Sequence, residues 1–524
     1  MDGHDALWRQ GNAEAARRNW PAAAACFRAC AEQQPDQAVG WVALAKAEGL
    51  AGHPRRERAA TERALALETP DWPLALALAR LLQAQHDVVS LQALATRLWP
   101  RAADAPVESL VELADLLGQA DAHAAALSWL DAALARDATS APAWYLRGTT
   151  QLFLGDFAAA RADLKQAIAL APHFAHAHWR LSELRAHDRP GAAARITRLQ
   201  AAREQAAPGS EHDIHLSFAL HAELHDAGRH DEAWGALERG CAAKRARLRY
   251  DAAADQRLFD ALPRLCSAGF VQGPGHAGEG EPVPVFIVGL FRAGSTVLER
   301  LLAGHSQLAD GGESRQFSAS LREAADYRPA GLLDEEMLQR AAGLDFAALG
   351  ADFMARSAWR ARGRAGWTEK LPSNLLNAGL IARALPRARF IHVFRPAMDA
   401  CFSNLRQLYG DICRYSYDQR ELAAYWRGQH ALAAHWRSVL GERWLDLAHA
   451  DLLRDPEGQL RRVLAHLGLD YEPGMLDFAT RGGAVSTASA SQVRGGLRAP
   501  SPPDWLPYRE ALAPLAEALG EFAG

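Results

Sequence analysis

The stretch PVFIVGLFRAGSTVLERLLAGHS, residues 284–306, decides the fold of the C-terminal half of this sequence. Val285 to Val288 is a short apolar run, rich in β-branched residues and bounded by Pro and Gly, which predicts a buried strand. The residues from Gly289 to Gly294 predict a turn, and the spacing of apolar residues after Ser295 predicts a helix. Such a turn brings free backbone N–H groups and the positive end of a helix dipole to one point. The stretch therefore predicts a cradle for an anion.

The spacing of this loop, GxxxxGST, is close to the nucleotide-triphosphatase pattern GxxxxGK[ST] but lacks its lysine. Without that lysine no cation is placed to hold β- and γ-phosphates, and no acidic strand end for Mg²⁺ is visible in the sequence. The charge of the loop is carried instead by Arg292. A tight turn between strand and helix that binds nothing is the alternative at this point.

A second stretch also predicts a buried strand followed by candidate phosphate ligands. The run RFIHVF from Arg389 to Phe394 is apolar and β-branched enough for a central parallel strand, and Arg395 follows its carboxyl end. Open α/β sheets bind ligands at that end. Ser403 lies eight residues further on, in a predicted helix. Arg395 and Ser403 therefore suit a second phosphate, and the alternative is a surface arginine and an ordinary helix serine.

The N-terminal half has internal repeats. Gly11, Trp20, Ala23, Phe27 and Pro35 fall at the small, aromatic and closing-proline positions of a helix–turn–helix repeat of about 34 residues. A second copy keeps the same register with Gly148, Phe157, Ala160, Leu164 and Pro172. These positions resemble the tetratricopeptide repeat family, so we expect an all-α array.

Residues 267–284, SAGFVQGPGHAGEGEPVP, are rich in Gly and Pro and are not expected to form regular structure. We therefore expect a helical-repeat array over residues 1–266, a linker over 267–284 and an α/β domain over 285–524.

Composition excludes several classes of protein. The chain has 524 residues, is 49% hydrophobic and carries 58 Lys+Arg against 62 Asp+Glu, a formal charge of −4. It lacks the bulk positive charge of nucleic-acid binders, so we expect no nucleic acid. No apolar run reaches the ~18 residues of a membrane span, so we expect no membrane and a cytoplasmic protein. The six cysteines are scattered without CxxC pairs, so we expect no metal.

Three motifs together carry a family resemblance. FIVGLFRAGST and FIHVFRPAMDACFS, with EKLPSNLLNAGLI between them, resemble the phosphate-binding elements of sulfotransferases that use 3′-phosphoadenosine-5′-phosphosulfate (PAPS). With the repeats, the chain resembles bacterial tetratricopeptide-repeat sulfotransferases and, through them, the tyrosylprotein sulfotransferases. The resemblance implies a P-loop-like α/β domain with a central parallel sheet. The family loop usually reads PRSGTT; here Phe291, Ala293 and Ser295 replace three of its residues.

The resemblance also implies residue roles. The loop would bind the 5′-phosphosulfate, Arg395 and Ser403 the 3′-phosphate, and Glu313 would be the general base, with Lys370 and Arg292 beside the transferred group. Ser489 and Gln492 resemble a stretch that closes over the nucleotide, with Arg494 and Arg498 as further basic candidates there. The predicted loop ligands are Arg292, Ala293, Gly294, Ser295 and Thr296. Glu313 could instead be a first-turn helix acid, and Lys370 an exposed cation before a helix.

Two classes of function follow. The sequence favours an enzyme that moves a sulfuryl group from PAPS to an acceptor hydroxyl, including that of a tyrosine. The acceptor would be a peptide, a protein or a small hydroxyl compound, and the repeats would bind a protein partner or mediate self-association. The alternative is a repeat scaffold that binds a nucleotide without turnover, or a P-loop kinase-like protein without its lysine.

Overall fold

The structure is a computed structural model that describes residues 3–184, 191–410, 412–477 and 502–523. The chain forms two compact units. The first comprises Met1–Thr150 with Arg315–Leu332 and Gln339–Leu344, and the second comprises Gln151–Ser314 with Leu333–Leu338 and Asp345–Gly524.

Within residues 3–184 and 191–271, helices are the only regular secondary structure. They are α1 (Gly3–Ala16), α2 (Trp20–Gln33), α3 (Ala38–Leu50), α4 (Pro54–Leu65), α5 (Trp72–Ala84), α6 (Val88–Leu98), α7 (Val107–Gln119), α8 (His123–Arg136), α9 (Ala141–Leu154), α10 (Phe157–Leu170), α11 (Ala175–Ser182), α12 (Ala192–Glu204), α13 (Glu211–Asp226), α14 (His230–Arg247), α15 (Ala252–Leu265) and α16 (Ala268–Val271). A 3-10 helix, Trp99–Asp104, follows α6.

The rest of the chain contains both strands and helices. They are β1 (Val283–Gly289), α17 (Ser295–Leu302), β2 (Leu308–Asp310), α18 (Gln316–Ala325), α19 (Glu335–Ala341), α20 (Phe346–Ser357), β3 (Gly366–Glu369), α21 (Ala378–Ala384), β4 (Arg389–Phe394), α22 (Ala397–Leu405), α23 (Gln419–Leu440), β5 (Trp444–Ala448), α24 (His449–Arg454), α25 (Pro456–Leu467) and α26 (Ala513–Leu519).

Small residues allow the helices of the first unit to pack closely. A Cβ atom on Gly11 of α1 would lie 2.7 Å from Cε1 of Phe27 in α2, and one on Gly40 of α3 would lie 3.1 Å from the backbone of Ala31. Leucines and alanines of the successive helices then form a continuous buried core. The expected all-α array is confirmed, and its repeat signature has this steric origin.

A parallel sheet organises the second unit. Its strand order is β2-β3-β1-β4-β5, and every neighbouring pair is parallel. From Pro284 to Gly289 every residue of β1 is buried, as expected for the central strand of a sheet covered on both faces. The predicted central parallel sheet is confirmed.

The Gly/Pro-rich stretch differs from its expectation. Residues 268–271 form α16, and the hydroxyl of Ser267 accepts a hydrogen bond from Phe270 N at 3.3 Å. Further on, His276 N donates to Ala384 O at 2.9 Å, and a Cβ on Gly275 would lie 2.0 Å from Arg383 O. Because Gly275 has no side chain, the chain can pass close to the end of α21. This contact joins distant segments, so composition alone does not predict it. The domain boundaries at 266 and 284 stay a prediction.

Within the described ranges, no helix combines the length and apolar character that a bilayer crossing requires.

Candidate active site

The predicted site lies at one edge of the sheet, where three neighbouring strands end. The glycine loop follows β1, Arg395 follows β4, and Lys370 follows β3. Strand β1 pairs in parallel with both β3 and β4, so their carboxyl ends lie side by side. This is where ligands bind in open α/β sheets.

The glycine loop has an unusual backbone. Gly289, Arg292 and Gly294 have positive φ angles of 150°, 66° and 98°. A Cβ on Gly289 would lie 2.4 Å from Val393 O, and one on Gly294 would lie 2.0 Å from Cδ2 of His449. Neither position can accept a larger residue without a shift, and Arg292 adopts a conformation that non-glycine residues rarely take.

Helix α17 begins at Ser295, directly after this loop. Its first backbone N–H groups, including those of Ser295 and Thr296, have no acceptor within a helix. Together with the positive end of the helix dipole, they form the anion cradle that the sequence predicts.

Arginines surround the loop. Arg395 Nη1 donates to Arg292 O at 3.4 Å, and Arg395 Nη2 lies 3.6 Å from Asp399 Oδ1. Burial lowers the pKa of Arg292 and of Arg395, and the positive charge of Arg406 lowers both further. Positive charges crowded into a poorly solvated place favour binding of an anion.

Helix α22 supports the loop from one side. Asn404 Nδ2 donates to Phe291 O at 2.7 Å, and Tyr409 Oη donates to Asn404 Oδ1 at 3.0 Å. Ser403, which we predicted as a phosphate ligand, is the buried neighbour of Asn404 on the same helix. Sequence reasoning missed Asn404, because nothing in its local pattern distinguishes a loop clamp from an ordinary helix residue.

Lys370 and Glu313 form an ion pair. Lys370 is fully buried, and its Nζ donates to Glu313 Oε1 at 2.5 Å. Glu313 lies outside α18, which begins at Gln316. Both alternatives that the sequence left open for these residues are wrong. Lys370 is not an exposed cation, and Glu313 does not lie in the first turn of a helix.

A second acid, Glu299 of α17, lies behind this pair. Its Oε2 is 3.9 Å from Lys370 Nζ, and its Oε1 accepts hydrogen bonds from Gly312 N at 3.1 Å and Thr368 Oγ1 at 3.2 Å. Burial raises the pKa of Glu299 to about 7, and the charge of Lys370 opposes that shift. An acid inside the apolar run VLERLL was the sequence signal for a buried carboxyl group.

Glu369, the last residue of β3, is also buried. It accepts a hydrogen bond from Trp367 Nε1 at 2.8 Å. Burial is the main cause that raises its pKa. Two acids with raised pKa values therefore adjoin Lys370. Glu299 lies 3.9 Å from its Nζ atom, and Glu369 precedes it in the chain.

Tyr409 packs against the glycine loop, with its ring centroid 5.8 Å from that of Phe291. Burial raises the pKa of Tyr409 well above its usual value, while the charge of Arg292 lowers it and that of Glu313 raises it.

His449, the first residue after β5, lies against Gly294. Burial, and then the charge of Arg395, lowers the pKa of His449 to about 4, so its ring is neutral near pH 7. Its position at a strand end was the signal that could have identified it. The predicted nucleotide contacts Ser489 and Arg494, with Gln492 and Arg498, lie outside the described residues.

Two segments of the chain match known protein families. Residues 284–473 match the sulfotransferase family, and residues 141–174 match the tetratricopeptide repeat. One segment of the chain is thus similar to the sulfotransferase family and another to a tetratricopeptide repeat, which confirms the resemblance that its motifs carry. The relation to tyrosylprotein sulfotransferases stays a prediction.

A curated relative is an uncharacterized protein of Aquifex aeolicus (strain VF5), 24% identical over 319 residues. The match covers 58% of this chain and 41% of that protein, so it spans about two fifths of the relative's length.

Among solved structures, the sulfotransferase domain from the curacin biosynthetic pathway is 16% identical, with 44% of this chain and 96% of that chain covered and a TM-score of 0.27. The crystal structure of MamA is 21% identical, with 32% and 95% covered and a TM-score of 0.27. Because both TM-scores are low, these two likenesses carry no weight for this chain.

Proposed function

We propose that this chain is an enzyme that transfers a sulfuryl group from PAPS to an acceptor hydroxyl. The observation that carries the proposal is the meeting of the glycine loop, Arg395 and the Lys370–Glu313 ion pair at the ends of three adjacent strands. The match of residues 284–473 to the sulfotransferase family supports the reaction class.

The residues present fit this donor. Gly289 and Gly294 leave no room for side chains. The first backbone N–H groups of α17, which follows the loop, have no acceptor within the helix and would serve an anion. The lowered pKa values of Arg292 and Arg395 indicate positive charge that an anion would stabilise. Residues 292–296 would hold the 5′-phosphosulfate, and Arg395 and Ser403 the 3′-phosphate. Ser489 and Arg494 are assigned to the nucleotide from the sequence alone.

When bound, PAPS supplies an activated sulfuryl group on a phosphate leaving group. In this chain, the acceptor hydroxyl must lose its proton and the negative charge that develops on the phosphate must be stabilised. Because Lys370 donates a hydrogen bond to Oε1 of Glu313, we assign Oε2 of Glu313 as the atom that takes the acceptor proton. Lys370 and Arg292 supply the positive charge, which acts most strongly at Lys370 because that group is fully buried, whereas Arg292 is half-buried.

The acceptor is proposed to be a hydroxyl of a peptide, a protein or a small compound. The repeats would present that partner or a second copy of the chain. A cytoplasmic location stays a prediction from the sequence.

Two linked measurements test the proposal. Calorimetry of the full chain with adenosine 3′,5′-bisphosphate, with a chelator present, should give binding without divalent metal. Transfer of labelled sulfuryl groups from PAPS to tyrosine peptides, carbohydrates, phenols and cell lysate should then give a labelled product. Binding that requires Mg²⁺ would favour a P-loop kinase-like protein, and metal-free binding without transfer to any acceptor would favour the nucleotide-binding scaffold.

A further inference from the structure

Two helices of the second unit bring three metal-ligating side chains together, apart from the sheet edge described above. His176 lies on α11, and Glu211 and His215 lie one turn apart on α13. One ligand atom from each of the three lies within 4.8 Å of the others. The two imidazole rings have centroids 4.0 Å apart.

A hydrogen bond orients one of these ligands. His215 Nδ1 lies 2.8 Å from the backbone oxygen of Glu211, to which it donates as Nδ1–H. That bond selects the tautomer in which Nε2 carries the free lone pair. Metal-binding histidines commonly donate their other ring nitrogen to a backbone carbonyl in this way.

A cavity adjoins the group. It has a volume of about 640 Å³, and Glu211 and His215 form part of its wall. Basic side chains of Lys244, Arg249 and Arg414 line it as well. A fourth coordination position open to this cavity would take water or an anion, and the basic side chains would favour the anion.

We propose that His176, Glu211 and His215 bind a zinc-class divalent cation whose open coordination position faces this cavity. Two imidazoles and one carboxylate are a zinc ligand set that leaves one position for an exogenous ligand. Hard cations such as Mg²⁺ and Ca²⁺ prefer shells of six or more oxygen atoms, which this group does not supply. The three proposed ligands take no part in the proposed sulfuryl transfer, although Tyr409 of the candidate active site also lines this cavity.

The test uses the full chain after removal of metal with a chelator. Titration with Zn²⁺, followed by calorimetry, should give one equivalent bound, and Mg²⁺ should give none. Titration with Co²⁺ should give the intense visible bands of a four-coordinate ion, which a loosely bound surface ion does not produce.

Matched variants locate the site. Glu211→Gln, His176→Gln and His215→Gln should each weaken Zn²⁺ binding by more than about 10-fold, the lower limit for loss of even an outer-shell partner. His173→Gln is the control, because His173 is exposed, precedes α11 and lies outside the group. It should bind Zn²⁺ like the unmodified chain.

Each result of these measurements either supports or overturns the proposed metal site. Glu211 is exposed, so Glu211→Gln keeps the test valid even where a buried histidine variant fails to fold. Absence of a Zn²⁺ equivalent in the folded chain would overturn the proposal. Unchanged affinity in Glu211→Gln, or equal loss in His173→Gln, would also overturn it. Binding of adenosine 3′,5′-bisphosphate should be the same in all four variants, which separates this site from the proposed donor site.

Discussion

The two sides of the candidate active site handle charge in different ways. Beside β1 and β4, the backbone shapes the site through the positive φ angles of Gly289, Arg292 and Gly294, and arginines add charge around it. Beside β3, one buried lysine bonds to one carboxylate, with a second carboxyl group 3.9 Å away.

The difference has a physical consequence. Because the cradle uses backbone groups, a position outside its two glycines can change its side chain, as Ala293 does where the family loop usually carries serine. The β3 side depends on individual charged groups, since removal of one partner from a buried pair leaves the other charge uncompensated. Substitutions there should alter chemistry, whereas substitutions near the loop should alter binding.

The largest effect is expected on the β3 side, at Glu313. If Glu313 is the general base, Glu313→Gln cannot take the acceptor proton but nearly preserves the size of the side chain. Turnover should fall by roughly 10²–10⁴, while affinity for adenosine 3′,5′-bisphosphate stays within a few-fold. Initial rates and calorimetry measure the two quantities. Glu442→Gln, an exposed change before β5, is the control, and full turnover in Glu313→Gln would remove the base assignment.

The next effect belongs to the loop side. Arg395→Ala should weaken binding of adenosine 3′,5′-bisphosphate by about 1.5–3 kcal/mol, or roughly 10- to 150-fold, because a charge-assisted bond to the 3′-phosphate is lost. Adenosine 5′-phosphate, which lacks that group, should lose much less. Arg389→Ala, at the opposite end of β4, is the matched control. Equal losses for the two nucleotides would contradict a 3′-phosphate role for Arg395.

The last effect concerns stability rather than binding or turnover, and it is a pH dependence at Glu299. Its folded-state pKa of about 7 lies above the usual 4.5, so the folded chain binds more protons than the unfolded chain between these pH values. The free energy of unfolding contributed by this group therefore falls as pH rises from about 4.5 to 7 and is constant above that range.

Glu299→Gln stands in for the protonated acid and should remove this decline, which amounts to a few kcal/mol at most. Urea unfolding at several pH values compares the variant with the unmodified chain. A stability difference between the two chains that does not change across this window would show that Glu299 is not protonated in the fold.

Much of the site could be predicted because its signals are local. The strand, glycine turn and helix of residues 284–306 each follow from short-range pattern, and the positions of Arg395 and Lys370 follow from motifs. Asn404, His449 and Glu299 could not be assigned in this way, because each acquires its contacts from segments distant in the chain. His176 is separated from Glu211 and His215 by an intervening helix, so no spacing rule reveals that group.

By itself, the sequence determined that a helical-repeat array precedes an α/β half with a glycine loop, because hydrophobic periodicity and glycine positions act over a few residues. Only the tertiary structure decided that β1 lies between β3 and β4, and hence that Lys370, the loop and Arg395 meet at one edge. Strand order and burial depend on pairings between distant segments, where side-chain packing and desolvation act. The same physics placed Lys370 wholly out of water, bonded to Glu313, where the sequence also allowed an exposed cation.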